Sequence, residues 1–143
     1  SWSGDGAGPL FRDRELATVL TPHDGEFGFL TGDRPGDDRI AAARAAAAEF
    51  DSTLLLKGPT TVVASPGGRV LLVDRGDQRL ATAGSGDVLA GLIGAALAAW
   101  VEPSVAAAAA AWLHGAAAEL GPEEGLLAGD IVDFIPQAIG ALR

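Results

Sequence analysis

The sequence predicts an α/β fold in which a mainly parallel sheet is flanked by helices, and three observations carry that expectation. Short apolar, strand-like runs alternate with Ala-rich helical runs in the order strand, helix, strand, hairpin and three helices. Hydrophobic residues make up 48% of the 143, ample for the core of one domain. Turn residues, Pro66-Gly67-Gly68 above all, punctuate the runs.

Taken in order, Ala17–Leu20 is a short strand that stops at Thr21-Pro22, because proline biases the residue before it toward extended backbone. His23–Leu30 then fits a helical turn. Asp37–Phe50 reads as a helix: Asp37 and Asp38 occupy the first turn and alanines fill the body. Ser52–Gly58 is an apolar strand running into a Gly-Pro turn, and Thr60–Ser65 with Arg69–Asp74 forms a hairpin about the Pro-Gly-Gly turn. After the polar Arg75–Arg79 come helices at Asp87–Trp100, Pro103–Leu120 and Gly129–Leu142. About four strands, two of them in one hairpin, make a small sheet for this class. The sequence begins at Ser1 and contains no methionine. An N-terminal companion segment, as a second chain or an upstream stretch, is therefore expected to complete the domain across strand edges otherwise left bare.

Charge and composition exclude several classes of partner. Ten basic against 19 acidic residues give a net charge of −9 with no basic cluster, which argues against nucleic acid. No apolar stretch suggests a membrane span or signal segment, and a cytoplasmic protein is expected. Without cysteine there is neither a disulfide framework nor a thiolate metal site, and two histidines, His23 and His114, are too few for a histidine-rich cluster. Apolar Ala/Leu surfaces on the last helices make a homo-oligomer the expected state.

The chemistry concentrates at Gly84, Ser85, Gly86 and Asp87, directly before a long apolar run. A Gly-Ser-Gly turn at a helix start can aim bare N–H groups and the positive end of the helix dipole at one point, where phosphate is the natural guest. The plain alternative is an ordinary N-cap. Nine of the ten basic residues are arginine, and the exception, Lys57, stands at a strand end where a compact ammonium would serve an anion. The plain alternative is chance in a chain that writes arginine almost everywhere. His23 is either a donor presented from a loop or a structural histidine. Glu26 fits a helix-start acid, and His114, within an Ala-rich helix, fits packing or capping.

Three segments in order and spacing, Thr21–Phe27 (TPHDGEF), Leu56–Ala64 (LKGPTTVVA) and Ala81–Ile93 (ATAGSGDVLAGLI), resemble the ADP-dependent NAD(P)H-hydrate dehydratases, enzymes of the ribokinase-like superfamily. Ala107–Glu119 and Gly125–Pro136 are similar to the closing helices of that family, so the likeness spans essentially all 143 residues but only the C-terminal portion of the family's domain. Asp77 and Gln78 depart from the Gly-Asn-Pro-like turn usual there. The resemblance implies that Lys57, Gly58, Pro59, Thr60 and Thr61 hold ADP or AMP, that Gly86 with Gly84 and Ser85 contacts the nucleotide phosphate, and that His23 and Asp87 face the hydrated nicotinamide. It further implies ADP as co-substrate with nucleotide-bound Mg2+, for which the sequence offers no compact protein cage. Asp87 would be the general base that activates the ring hydroxyl of hydrated NADH or NADPH for attack on the terminal phosphoryl group, giving AMP, phosphate and the repaired cofactor. Two alternatives are a small-molecule kinase of the same superfamily and a non-catalytic nucleotide-binding or assembly subunit.

Overall fold

The computed structural model of the protein describes residue 11 and residues 14–142. Its elements are β1 (Val19–Leu20), α1 (Asp24–Thr31), α2 (Arg39–Phe50), β2 (Thr53–Leu56), β3 (Thr61–Ala64), β4 (Val70–Val73), a 3-10 turn (Gln78–Ala81), α3 (Ser85–Ala98), α4 (Pro103–Glu119) and α5 (Ala128–Gly140). The four strands form one sheet in the order β1-β2-β3-β4, flanked by helices.

The expectation of a mainly parallel sheet needs correction for the described strands. Only β1 and β2 pair in parallel; β2–β3 and β3–β4 are antiparallel. Connection length is the reason. The turn at 57–60 and the hairpin at 65–69 are too short for a crossover and can only reverse the chain. Between β1 and β2 lie α1 and α2, enough chain to return to the same end of the sheet.

Alternation along the strands sorts the core onto two faces. Leu54, Leu56, Val62 and Ala64 pack with Ala43, Ala46, Ala47 and Phe50 of α2. Leu55, Val63 and Val73 face the other way, against Leu89 and Ile93 of α3 and Ala107, Ala110 and Ala111 of α4. A third cluster joins Ala116–Ala118 of α4 to Leu126 and to Ile131 and Ala138 of α5. The alanines are what let α2 and α4 lie close: Ala43, Ala47, Ala106 and Ala107 are wholly buried.

At Gly115, α4 lies directly against the 75–76 main chain. A Cβ there would lie 2.6 Å from the Arg75 carbonyl oxygen and 2.8 Å from the Gly76 nitrogen, both main-chain atoms. Around this seam Gly76 N–H donates to Glu119 Oε1 at 3.0 Å and Arg75 Nε pairs with Glu119 Oε2 at 3.0 Å. Gly115→Ala is therefore expected to destabilise the fold by about 1–3 kcal/mol through overpacking, outweighing the better helix propensity of alanine. Chemical denaturation checks it; unchanged stability would mean that the 75–76 backbone is free to move off α4.

The outer edge of β1 has no strand partner among the described residues. Large apolar side chains stand exposed beyond the sheet, Leu16, Phe29 and Trp100 among them. No helix of the described residues is long and apolar enough to cross a membrane.

Candidate functional site

At the ends of β1 and β2 the chain opens a cavity of about 690 Å³, walled by the loop before α1, the turn after β2, the 75–82 segment, the start of α3 and one face of α4. Sheet topology places it there: the strands stop, and the segment leaving each of them must turn across the same end. Lys57 N–H donates to the Pro22 carbonyl at 2.9 Å, tying the two strand ends together.

His23 has the structural role its sequence context allows. As N-cap of α1 its Nδ1 accepts the N–H groups of Gly25 (3.0 Å) and Glu26 (3.1 Å), which leaves the ring proton on Nε2 as an exposed donor. Glu26 completes the capping box by accepting the His23 N–H at 2.8 Å. It also pairs with the strand end: Glu26 Oε2 lies 3.3 Å from Lys57 Nζ. Partial burial pushes the Glu26 carboxyl up, but the His23 N–H and the Lys57 ammonium outweigh that and hold it below its usual value.

Arg39 makes a second tie between the same two walls. Its guanidinium pairs with Asp24 Oδ1 at 2.6 Å and donates to the Lys57 carbonyl at 2.8 Å. It lies so close over Gly58 that a Cβ at that position would stand 2.5 Å from Nη2. A hydrogen bond from Arg39 to its main chain and an ion pair of its side chain with Glu26 thus set Lys57 at the cavity wall.

The helix expected from Asp87 begins two residues earlier, at Ser85, because Gly84 takes the left-handed backbone (φ 86°) that an N-cap without a side chain needs here. Ser85 N–H bonds the Thr82 carbonyl at 3.2 Å, and its hydroxyl donates to the Leu80 carbonyl at 2.5 Å. That serine is buried and pins the turn. Gly86 N–H has no hydrogen-bond partner among the described residues, and a Cβ on Gly86 would meet only Lys57 Nζ, at 3.8 Å. A bare amide at a helix N-terminus and an ammonium thus flank one spot, an arrangement suited to an anion.

Of the residues predicted for the site, His23, Lys57, Gly58, Pro59, Thr61, Ser85 and Gly86 line the cavity, and Thr60, Gly84 and Asp87 do not. Asp87 is exposed in the first turn of α3, one residue beyond the free amide. The divergent Asp77-Gln78 turn is held from within: Asp77 caps the 3-10 turn and pairs with Arg79 at 2.7 Å, and Arg79 donates onward to the Gly121 carbonyl at 3.1 Å.

The family model described as NAD(P)H-hydrate dehydratase matches residues 6–137. The chain belongs to this family. A bifunctional NAD(P)H-hydrate repair enzyme of Mycobacterium leprae is 51% identical over 111 residues, 78% of this chain but 24% of that protein. An ADP-dependent (S)-NAD(P)H-hydrate dehydratase of Neisseria meningitidis is 48% identical over 121 residues, 79% of this chain and 41% of the relative. The chain thus spans well under half the length of these curated relatives. The structure of the ADP/ATP-dependent NAD(P)H-hydrate dehydratase from Bacillus subtilis, co-crystallized with ATP/Mg2+, superposes with a TM-score of 0.86 at 35% identity, covering 93% of this chain and 50% of that one. A ribokinase-like superfamily protein of Enterococcus faecalis superposes at 0.69 with 26% identity over 85% of this chain and 44% of that one, so the fold is ribokinase-like.

Sequence reasoning left out Arg39 and Asp24 and gave Glu26 and His114 bland roles. Arg39 carried no signal, since a lone arginine at a helix start looks like any surface charge. His114 is 5% exposed and forms part of the cavity wall. Burial lowers its pKa from the usual 6.5, opposed in part by a hydrogen bond to the Ser85 main chain. The unfolded chain therefore binds this proton more readily than the folded one. Stability should decline as pH falls through about 6.5, well before the usual carboxylate range is reached. Melting curves of wild type and His114→Gln between about pH 7.5 and 5 check this; identical slopes would remove His114 as the source.

Proposed function

We propose that this chain supplies the nucleotide-binding and catalytic part of a nucleotide-dependent hydro-lyase that dehydrates hydrated NADH and NADPH, with ADP going to AMP and phosphate. The observation that carries the reading is that Lys57 and Gly86, whose amide has no hydrogen-bond partner among the described residues, line the same strand-end cavity, in a chain of this family. In this reading Gly58, Pro59, Thr60 and Thr61 follow Lys57 around the nucleotide, and Gly84 sets the turn that presents Gly86. His23 offers Nε2–H to the hydrated nicotinamide.

Asp87 takes the proton of the ring hydroxyl as that oxygen bonds the terminal phosphorus of ADP and the bond to the AMP oxygen breaks. Charge developing on the transferring group meets the Gly86 amide and the helix dipole. Phosphate then leaves the ring carbon, driven by the ring nitrogen lone pair, and loss of a proton from the neighbouring carbon restores the dihydropyridine. Phosphorylation turns hydroxide, a poor leaving group, into phosphate. Among the described residues no three of His, Asp or Glu gather as a metal cage, so these residues do not fit a protein-built magnesium site and no step here runs through the metal.

Asp87 is exposed and the outer β1 edge is unpaired among the described residues, while the B. subtilis relative has about twice the length of chain. We propose that further strands of the domain pair along β1 and that the face they add holds the hydrated nicotinamide against Asp87. Exposed Val105 and Ile139 on α4 and α5 are the candidate surface for a homo-oligomer.

Incubation of the full-length protein with ADP and hydrated NADPH tests the function. AMP, phosphate and NADPH in equal amounts are expected. A stable phosphorylated product would instead make it a kinase, and nucleotide binding without turnover would make it a non-catalytic subunit.

A further inference from the structure

Arg39 stands where local rules would not put it. It is the first residue of α2, so its cation sits at the positive end of the helix dipole. Its Nε is buried and has no hydrogen-bond partner among the described residues, an arrangement that native proteins seldom keep without a reason. A residue that breaks two local preferences is held by something beyond its own helix.

What holds it is a bridge between two other segments. Nη1 donates to Asp24 Oδ1 at 2.6 Å, and Nη2 donates to the Lys57 carbonyl at 2.8 Å. A Cβ on Gly58 would stand 2.5 Å from the same Nη2, so the missing side chain admits the guanidinium to the turn. Asp24 follows His23 directly, in a first turn of α1 that is closed on itself: His23 Nδ1 accepts the Gly25 and Glu26 N–H groups, and Glu26 accepts the His23 N–H. His23, Lys57 and Gly58 line the cavity, and Arg39 does not. Any effect of Arg39 on a ligand there passes through the two walls it joins.

The other ties between these walls differ from this one. Lys57 N–H on the Pro22 carbonyl fixes the strand ends, before either turn begins. Glu26 holds the Lys57 ammonium, the group for which an incoming anion competes. Arg39 takes only the Lys57 carbonyl, so it holds the turn while the ammonium is free to meet phosphate. A planar fork suits that task because its two terminal nitrogens bond one acceptor on each wall at once.

We propose that Arg39 is a positioning residue: its guanidinium sets the His23-bearing start of α1 against the Lys57-Gly58 turn, so that the hydrated ring and the terminal phosphoryl group are held in reacting geometry. This rests on the reading above in which His23 faces the hydrated nicotinamide and Lys57 the nucleotide. Misplacing two reacting groups by about 1 Å can cost about a hundredfold in rate while each ligand still binds.

The test is steady-state turnover of the full-length protein with ADP and hydrated NADPH, beside AMP binding by calorimetry. In Arg39→Ala, kcat is expected to fall about tenfold or more while AMP affinity stays within about threefold of wild type. Asp24→Ala, a change at a half-exposed carboxylate, should lower kcat several-fold and decides by itself if Arg39→Ala does not fold. The double variant should lose no more than Arg39→Ala alone, because both residues act through one bridge. Arg39→Lys keeps the charge but not the fork and should recover only part of the loss. Wild-type kcat in the single alanine variants overturns the proposal, even with a lowered melting temperature, which would make Arg39 a structural support. Full recovery in Arg39→Lys overturns it in favour of charge at a distance, and additive losses in the double variant overturn the bridge. A loss confined to AMP affinity also overturns it and leaves Arg39 a part of the nucleotide turn alone. In all these outcomes the wild type turns over; wild-type protein without dehydration overturns the function reading and this inference with it.

Discussion

Replacing Asp87 by asparagine should abolish dehydration while leaving nucleotide affinity nearly intact. The amide is close to isosteric but cannot take a proton, and loss of a general base costs on the order of a hundredfold or more in turnover. Binding should survive because Asp87 stands outside the cavity wall and the groups that flank the anion spot, Lys57 and the Gly86 amide, belong to other residues. Removing a carboxylate beside a phosphate site also relieves repulsion, so a slight gain in ADP affinity is consistent with the role. Turnover measured at saturating ADP and hydrated NADPH decides the matter. A variant within a few-fold of wild type takes Asp87 out of the mechanism.

The second large effect is expected at Lys57. Lys57→Ala should weaken ADP and AMP binding by about 1–3 kcal/mol, the scale of a lost charge-assisted hydrogen bond. Part of that loss comes from the acid that remains. Glu26 Oε2 lies 3.3 Å from Lys57 Nζ, and without the ammonium its carboxylate faces the incoming phosphate uncompensated. The double variant Lys57→Ala, Glu26→Gln should therefore bind nucleotide better than Lys57→Ala alone, a sign of coupling that a calorimetric double-mutant cycle reads directly. Unchanged affinity in Lys57→Ala would leave the lysine a mere exception in an arginine-rich chain.

Several parts of the site were legible because they depend on neighbours in sequence. Gly84-Ser85-Gly86 before an apolar run signals a helix start with free amides; the structure moves that start from Asp87 to Ser85 and, of the Ser85, Gly86 and Asp87 amides, leaves Gly86 alone without a partner among the described residues. The hairpin was legible in Pro66-Gly67-Gly68, and the strand end in Leu54–Leu56 followed by a Gly-Pro turn. His23 was ambiguous, and rightly so, since one ring nitrogen caps α1 while the other remains a donor.

What the sequence alone determined is local: the continuous apolar run that makes Leu54–Leu56 a strand with two buried faces, the turn chemistry, the alanines that allow close helices, and the motif that identifies the family. Only the tertiary structure decided which distant groups meet. The antiparallel pairing of β2 with β3 went against the expected mainly parallel sheet because direction depends on the length of each connection measured against the sheet, which composition does not report. Arg39 on Asp24 and Lys57, Glu26 on Lys57, and His114 in the cavity wall join residues that are distant in the chain and lie on separate elements. Such pairings arise because burial of the two sheet faces brings helix ends together at one edge, and a charge or imidazole there is defined by what packing places opposite it, not by its neighbours in the chain.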